Sequence, residues 1–165
     1  MLRRAPAAEV REDGGVVDQH RPRVLRDHRV HRAVDPARLG ADTAYAEAEA
    51  AEACRLLGEG RDVLLVTERP GAAGPTPGAA AEATAALLGR VLRRQPVRRL
   101  GIAGGDTSSL GARAIDLWGL SYGGVIAPGV AWCRGHSDDP ALDGIEVMLK
   151  GGQMGPPDLL ESFRA

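Results

Sequence analysis

Aromatic side chains are nearly absent from this 165-residue chain: they make up 3% of it, as two Trp, two Tyr and one Phe. A core must therefore be built mostly from Ala, Leu and Val, and there is no aromatic platform on which nucleic-acid bases could stack. Lysine is scarcer still, since Lys150 is the only one and the other cationic side chains are all Arg. The two cysteines, Cys54 and Cys133, lie far apart and outside any Cys-x-x-Cys spacing, which argues against a disulfide framework or a zinc site. Two reduced, partly buried thiols are expected. No apolar run approaches the ~20 residues of a membrane span, and the N-terminus lacks the apolar centre of a signal peptide. A soluble, cytoplasmic protein with no membrane partner is expected. A net charge of −1 supplies neither a global basic field for nucleic acid nor a polybasic membrane anchor.

What remains is ordinary globular composition, 44% hydrophobic and 26% charged, at a length that suits one domain with a real core. The charge is unevenly spread. Residues 1–32 hold eight Arg against five acids and mix Arg, His, Asp and Val without helical or strand period. This segment is expected to be poorly ordered and separate from the domain formed by residues 33–165. His20, His28 and His31 are weak metal candidates, with no Cys nearby and no helix to align them.

From Ala33 onward the pattern is regular. Asp35-Pro36 reads as a turn, and Asp42 or Thr43 can cap a helix to about Leu57, with Ala46, Ala50, Ala53 and Leu57 forming one apolar stripe. Glu47, Glu49 and Glu52 then make a solvated acidic face. Asp62-Val-Leu-Leu-Val-Thr67 is a continuous apolar run, as expected of a strand covered on both faces. Residues 69–78 form a Pro/Gly loop, and a helix from Pro77 or Gly78 stops at Pro96. Arg90, Arg93 and Arg94 near its end suit the helix dipole. A strand at Arg99–Ala103, a Gly104-Gly105 turn and a helix from about Thr107 to Trp118 complete a helix–strand alternation. The last third reads as strands at Ser121–Ala127 and Val130–Arg134 about a Pro128-Gly129 turn. A half-exposed strand follows, in which Ile145, Val147 and Leu149 alternate with Glu146, Met148 and Lys150. The expected fold is a layered α/β/α domain with a mixed, largely parallel sheet and glycine-rich loops at strand ends.

Three stretches can carry chemistry. Gly104-Gly105-Asp106-Thr107-Ser108 follows a strand and opens a helix. Its backbone N–H groups and hydroxyls can cradle a phosphate while Asp106 holds Mg²⁺; an ordinary capped strand-to-helix turn has the same spacing. Lys150-Gly151-Gly152 ends another strand and offers a point charge beside glycines that allow close backbone approach, although a glycine turn with a solvated lysine also fits. The third stretch, Ala127-Pro-Gly-Val-Ala-Trp-Cys133, is a hairpin-like turn in which Trp132 reads better as a packing residue than as an adenine stack. Neither Gly-x-x-x-x-Gly-Lys-Ser/Thr nor Gly-x-Gly-x-x-Gly occurs, so the common phosphate and dinucleotide fingerprints are not used.

Taken in order, these stretches resemble the C-terminal nucleotide-binding domain of the four-carbon acid sugar kinase family. Gly104–Ser108 matches its Gly-Gly-Asp-Thr-Ser loop. Pro128-Gly129-Val130 matches its Pro-Gly-Val-Pro turn, with Ala131 in place of the second proline. Lys150, Gly152 and Gly155 match its Lys-x-Gly-x-Phe-Gly loop, with Met154 in place of the aromatic. The resemblance runs from about Ala33 to the C-terminus and implies ATP and Mg²⁺ as cofactors. Gly104, Gly105, Asp106, Thr107 and Ser108 would stand at the phosphates, Lys150, Gly151 and Gly152 at the nucleotide from the facing loop, and Asp106 at the metal. It also implies a partner. Full-length members carry a separate N-terminal sugar-binding domain, so this chain is expected to bind nucleotide and to need that domain, separately encoded, for kinase turnover. Homo-oligomer formation stays open, as does a non-catalytic role for the module.

Overall fold

The computed structural model describes residues 29–67, 74–151 and 154–164. The expectation of poor order before residue 29, and the candidate ligands His20 and His28, lie outside these residues. His31 is exposed on a strand, and among the described residues no group of three metal-ligating side chains forms. The elements run β1 (Arg29–Val34), α1 (Pro36–Ala41), α2 (Thr43–Gly58), β2 (Asp62–Thr67), α3 (Pro77–Arg94), β3 (Arg99–Ala103), α4 (Gly105–Ala114), β4 (Gly119–Ala127), β5 (Val130–His136), β6 (Glu146–Lys150) and α5 (Leu159–Arg164).

Capping chemistry decides several boundaries. The Asp42 carboxylate accepts a hydrogen bond from the Tyr45 N–H at 3.0 Å and starts α2, and the Thr76 hydroxyl accepts from the Ala79 N–H at the start of α3. Asp35 does the same for Ala37 at 2.8 Å with Pro36 at the first helical position, so the expected turn is instead a six-residue helix. The buried face of α2 is Ala46, Ala50, Ala53 and Leu56, and its three alanines join Leu87 and Val91 of α3 and Val34 of β1 in one core cluster.

The acidic face of α2 is not simply solvated. Glu49 accepts from Arg32 of β1 at 2.8 Å, and Glu47 binds both Arg90 and Arg94 of α3. These inter-element pairs tie β1 and α3 to α2, so Arg90 and Arg94 do more than complement a helix dipole. The hydrogen bonds from Arg94 and then Arg90 hold the Glu47 carboxyl below its ordinary value of 4.5. A depressed carboxylate pKa contributes stability above the unfolded value and loses it as pH falls through the folded value. The urea midpoint is therefore expected to fall below pH 4.5, and to fall less steeply in Glu47→Gln, as measured by urea titrations across that range.

Among the described residues the strands form two sheets: a parallel β1–β2 pair and a four-stranded sheet ordered β3-β6-β5-β4. β3 and β6 are parallel, whereas β5 runs antiparallel to both β6 and β4. The fold is thus α/β with a mixed sheet. On the larger sheet Ile102 faces α4 and α3, meeting Gly111 and Leu88, while the neighbouring Gly101 faces Met148, Leu160 and Phe163 on the α5 side. Helices therefore cover both faces. β6 lies inside this sheet, so the expected half-exposed alternation fails: Val147 and Met148, on opposite faces, are both fully buried. β2 departs in the other sense. Its apolar run is only half-buried, and Val66 is 46% exposed.

Candidate functional site

β3 and β6 are parallel neighbours in the register Ala103↔Lys150, so the loops that follow them leave the same end of the sheet. The Gly104 N–H donates to the Lys150 carbonyl at 3.0 Å, joining the two glycine loops directly. β5 pairs with β6 in the register Ala131↔Leu149, which brings the Pro128-Gly129 turn to that end as well. Gly129 sits at φ +77°, and a Cβ there would collide with the Met154 methyl from the second loop. Three stretches separated by up to 46 residues of sequence thus share one rim, at the carboxyl ends of the parallel strands where ligands of open α/β sheets sit.

Gly104 occupies φ +112°, ψ 132°, a conformation open to glycine and costly for other residues. It is the N-cap of α4, and no side chain caps the helix there. The N–H groups of Gly105, Asp106 and Thr107 are the first of the helix and have no intrahelical acceptor, so the helix start presents donors and a positive dipole end. Asp106 stands exposed in this first turn, and a Cβ on Gly105 would meet nothing within 4 Å. Gly104→Ala is expected to lower stability by about 1–3 kcal/mol from backbone strain, read from urea unfolding.

Ser108 is placed differently from the other loop residues. Its side chain is buried and its hydroxyl donates to the Ile102 carbonyl at 3.3 Å, while its N–H bonds to the Gly104 carbonyl. It holds the loop against β3 from inside and offers no group at the rim. Thr107 lies beside Gly104, with its hydroxyl 3.3 Å from where a Gly104 Cβ would be. Lys150 ends β6 half-buried, Gly151 is exposed with open space around it, and Gly152 lies outside the described residues. Trp132 packs over Gly123 and Gly124 of β4, where a Cβ on Gly123 would come within 2.5–2.6 Å of the indole, so it acts as a packing residue. Sequence reasoning gave no sign of one further polar contact. Ser121 and His136 meet at 2.6 Å, with Trp118 stacked on the imidazole, at the opposite end of β4 and β5 from the three loops. Both cysteines are free thiols, and burial raises the pKa of Cys54.

The model of the nucleotide-binding C-terminal domain family matches residues 19–160, most of the chain. This chain belongs to that family. The nucleotide-binding domain is similar to the 3-oxo-isoapionate kinase of Paraburkholderia graminis, 37% identical over 73 residues, which are 44% of this chain and 16% of that protein. It is also similar to the 3-oxo-tetronate kinase of Actinobacillus succinogenes, 37% identical over 82 residues, or 50% of this chain and 19% of that one. Among solved structures, a Haemophilus influenzae protein superposes with a TM-score of 0.67 at 24% identity, over 86% of this chain and 35% of the other. A Bordetella bronchiseptica protein crystallised with citrate as a domain-swapped dimer superposes at 0.68 with 22% identity, over 84% and 35%. These superpositions show a shared fold. The domain spans less than a fifth of the curated relatives it matches and about a third of the solved ones. Among the described residues, no helix is long and apolar enough to cross a membrane.

Proposed function

We propose that the three-loop rim binds the phosphates of ATP, and that this domain is the nucleotide-binding part of a kinase that phosphorylates a four-carbon acid sugar. The observation that carries the reading is the Gly104–Lys150 hydrogen bond, which holds the uncapped start of α4 against the end of the strand bearing the sole lysine. A cradle of N–H groups at a helix start is suited to a phosphate, and the kinase names of the relatives support a triphosphate as its source. Asp106 fits Mg²⁺, a hard cation usually held by one or two carboxylates together with substrate phosphates. The metal would supply charge neutralisation at the transferring group. Gly104, Gly105 and Thr107 would hold and orient the phosphates by backbone contacts, and Lys150 and Gly151 would close the opposite side.

Phosphoryl transfer relies on positioning and charge neutralisation, and it also needs an acceptor hydroxyl and a group to take its proton. We place those on a sugar-binding domain outside these 165 residues, so the isolated chain is expected to bind Mg-ATP without turnover. Calorimetric titration with Mg-ATP is expected to show saturable binding, weakened about tenfold or more in Asp106→Ala, the scale of one lost charge-assisted contact. Absence of heat with the wild-type chain would overturn the proposal. Threonate or erythronate phosphorylation by the purified chain would overturn the incompleteness.

A further inference from the structure

On one face of the larger sheet the helix cover stops short of the β4 edge. α4 packs over β3 and β6, and the strand register carries that face outward in two rows of paired residues. One row is Ile102, Leu149, Ala131 and Val125, and the next is Leu100, Val147, Cys133 and Tyr122. Paired residues share a face, here the one on which Ile102 meets Gly111 of α4. Exposure rises along both rows. It runs from buried Ile102 to Val125 at 67%, and from buried Val147 to Tyr122 at 71%, with Ala131 and Cys133 half-buried between them. Beyond β6 the sheet therefore presents an apolar strip of Ala131, Cys133, Val125 and Tyr122, without a charged side chain. Contiguous apolar surface of this kind marks a binding site.

The strip adjoins the rim. Its first row lies one residue back from Ala103 and Lys150, and α4, which covers the inner part of the same face, begins at Gly105. β5 is two strand spacings from β3, about 10 Å, a span that a ribose and an α-phosphate bridge. We propose that the purine base of a nucleoside triphosphate held at the rim lies on this strip, against Val125 and Ala131 with the Tyr122 ring beside it. The inference rests on the reading of the rim as a triphosphate site and locates the rest of the same ligand. A base removes its flat apolar faces from water on such a surface, and an aromatic side chain adds a stacking contact. Trp132 cannot supply that contact, because it pairs with Met148 and so points to the opposite face. β4 and β5 are the outer pair of the larger sheet, whereas β1, at which residues 1–28 join the described chain, belongs to the other sheet.

The test compares ATP with inorganic tripolyphosphate, each with Mg²⁺, by calorimetry on the 165-residue chain. ATP is expected to bind about tenfold or more tighter, the scale of one base–aromatic stack. Tyr122→Ala and Val125→Ser, both at exposed positions, are expected to remove most of that difference while leaving tripolyphosphate affinity and the thermal melt unchanged. Cys133 reads the place directly, since its thiol is free and lies in the Tyr122 row. Its alkylation by iodoacetamide is expected to slow with ATP and not with tripolyphosphate, with Cys54, whose thiol donates to the Val91 carbonyl, as the internal reference. The proposal is overturned if the two ligands bind equally, if the variants keep the full preference for ATP or lose both ligands alike, or if ATP leaves Cys133 reactivity unchanged. A ligand-free chain that is dimeric with Cys133 already shielded would make a second copy the cover of the strip, and would overturn it too. Wherever tripolyphosphate still binds, the triphosphate reading stands; failure of both ligands to bind overturns both.

Discussion

Gly105→Val is expected to abolish Mg-ATP binding while leaving thermal unfolding almost unchanged. Gly105 is the first residue of α4, and a Cβ there would meet nothing within 4 Å, so a side chain fits the fold without displacing anything. An exposed substitution of this kind usually moves stability by no more than about 0.5 kcal/mol. On the proposed reading the same open space is where a phosphate would approach the N–H groups of Asp106 and Thr107, and the two valine methyls would occupy it. The proposed site would thus need glycine here for backbone approach, in contrast to Gly104, whose positive φ makes it a conformational requirement. Gly151→Val offers a second test on the facing loop, since Gly151 is also exposed with open space around it. Calorimetry paired with a thermal melt separates the outcomes. Unchanged affinity in both variants would remove the rim as the phosphate site, whereas an intact melt with lost binding would support it.

Met148→Ala is expected to cost about 2–5 kcal/mol, the range for truncating a buried aliphatic side chain to alanine. Met148 is fully buried in the interior strand of the larger sheet, where it packs with Ala127, Val130 and Leu159 and holds α5 in place. The size of the effect discriminates. Alternation along residues 145–150 puts Met148 on a solvent face, for which truncation would change stability by only a few tenths of a kcal/mol. Met148→Leu conserves volume and is expected to cost less than about 1.5 kcal/mol. Urea unfolding of the two variants measures both values, and equal small losses would contradict the burial of β6.

Local chemistry was legible in the sequence. Asp42 announces the start of α2 because a side-chain oxygen satisfies an orphan N–H ahead of a helix, and Pro77 announces α3 because its missing N–H costs nothing at the first helical position. Pro128-Gly129 announces the β4–β5 turn, since proline presets one dihedral and glycine supplies the positive φ. The Gly-Gly-Asp-Thr order announces a strand-to-helix loop of the right kind for an anion, and together with the other two motifs it pointed to the family that the comparison established. Pairing was not legible. β1 begins at Arg29, within a stretch of no visible period, because parallel hydrogen bonds to β2 and the Arg32–Glu49 ion pair hold it. Burial of Met148 depends on β6 entering between β3 and β5, a choice that no local pattern encodes.

By itself, then, the sequence determined most element types, the Asp42 cap and the three loops, all of which depend on residues within a few positions of one another. Tertiary structure alone decided that the loops meet, through the Gly104–Lys150 bond, and that Ser108 turns inward to Ile102. It also decided that, among the described residues, β2 and β3 lie in different sheets. The physical reason is that these outcomes depend on which segments lie side by side, set by backbone hydrogen bonds and packing between stretches such as β3 and β6, whose paired Arg99 and Glu146 are 47 residues apart, to which side-chain identity along one segment contributes only weakly.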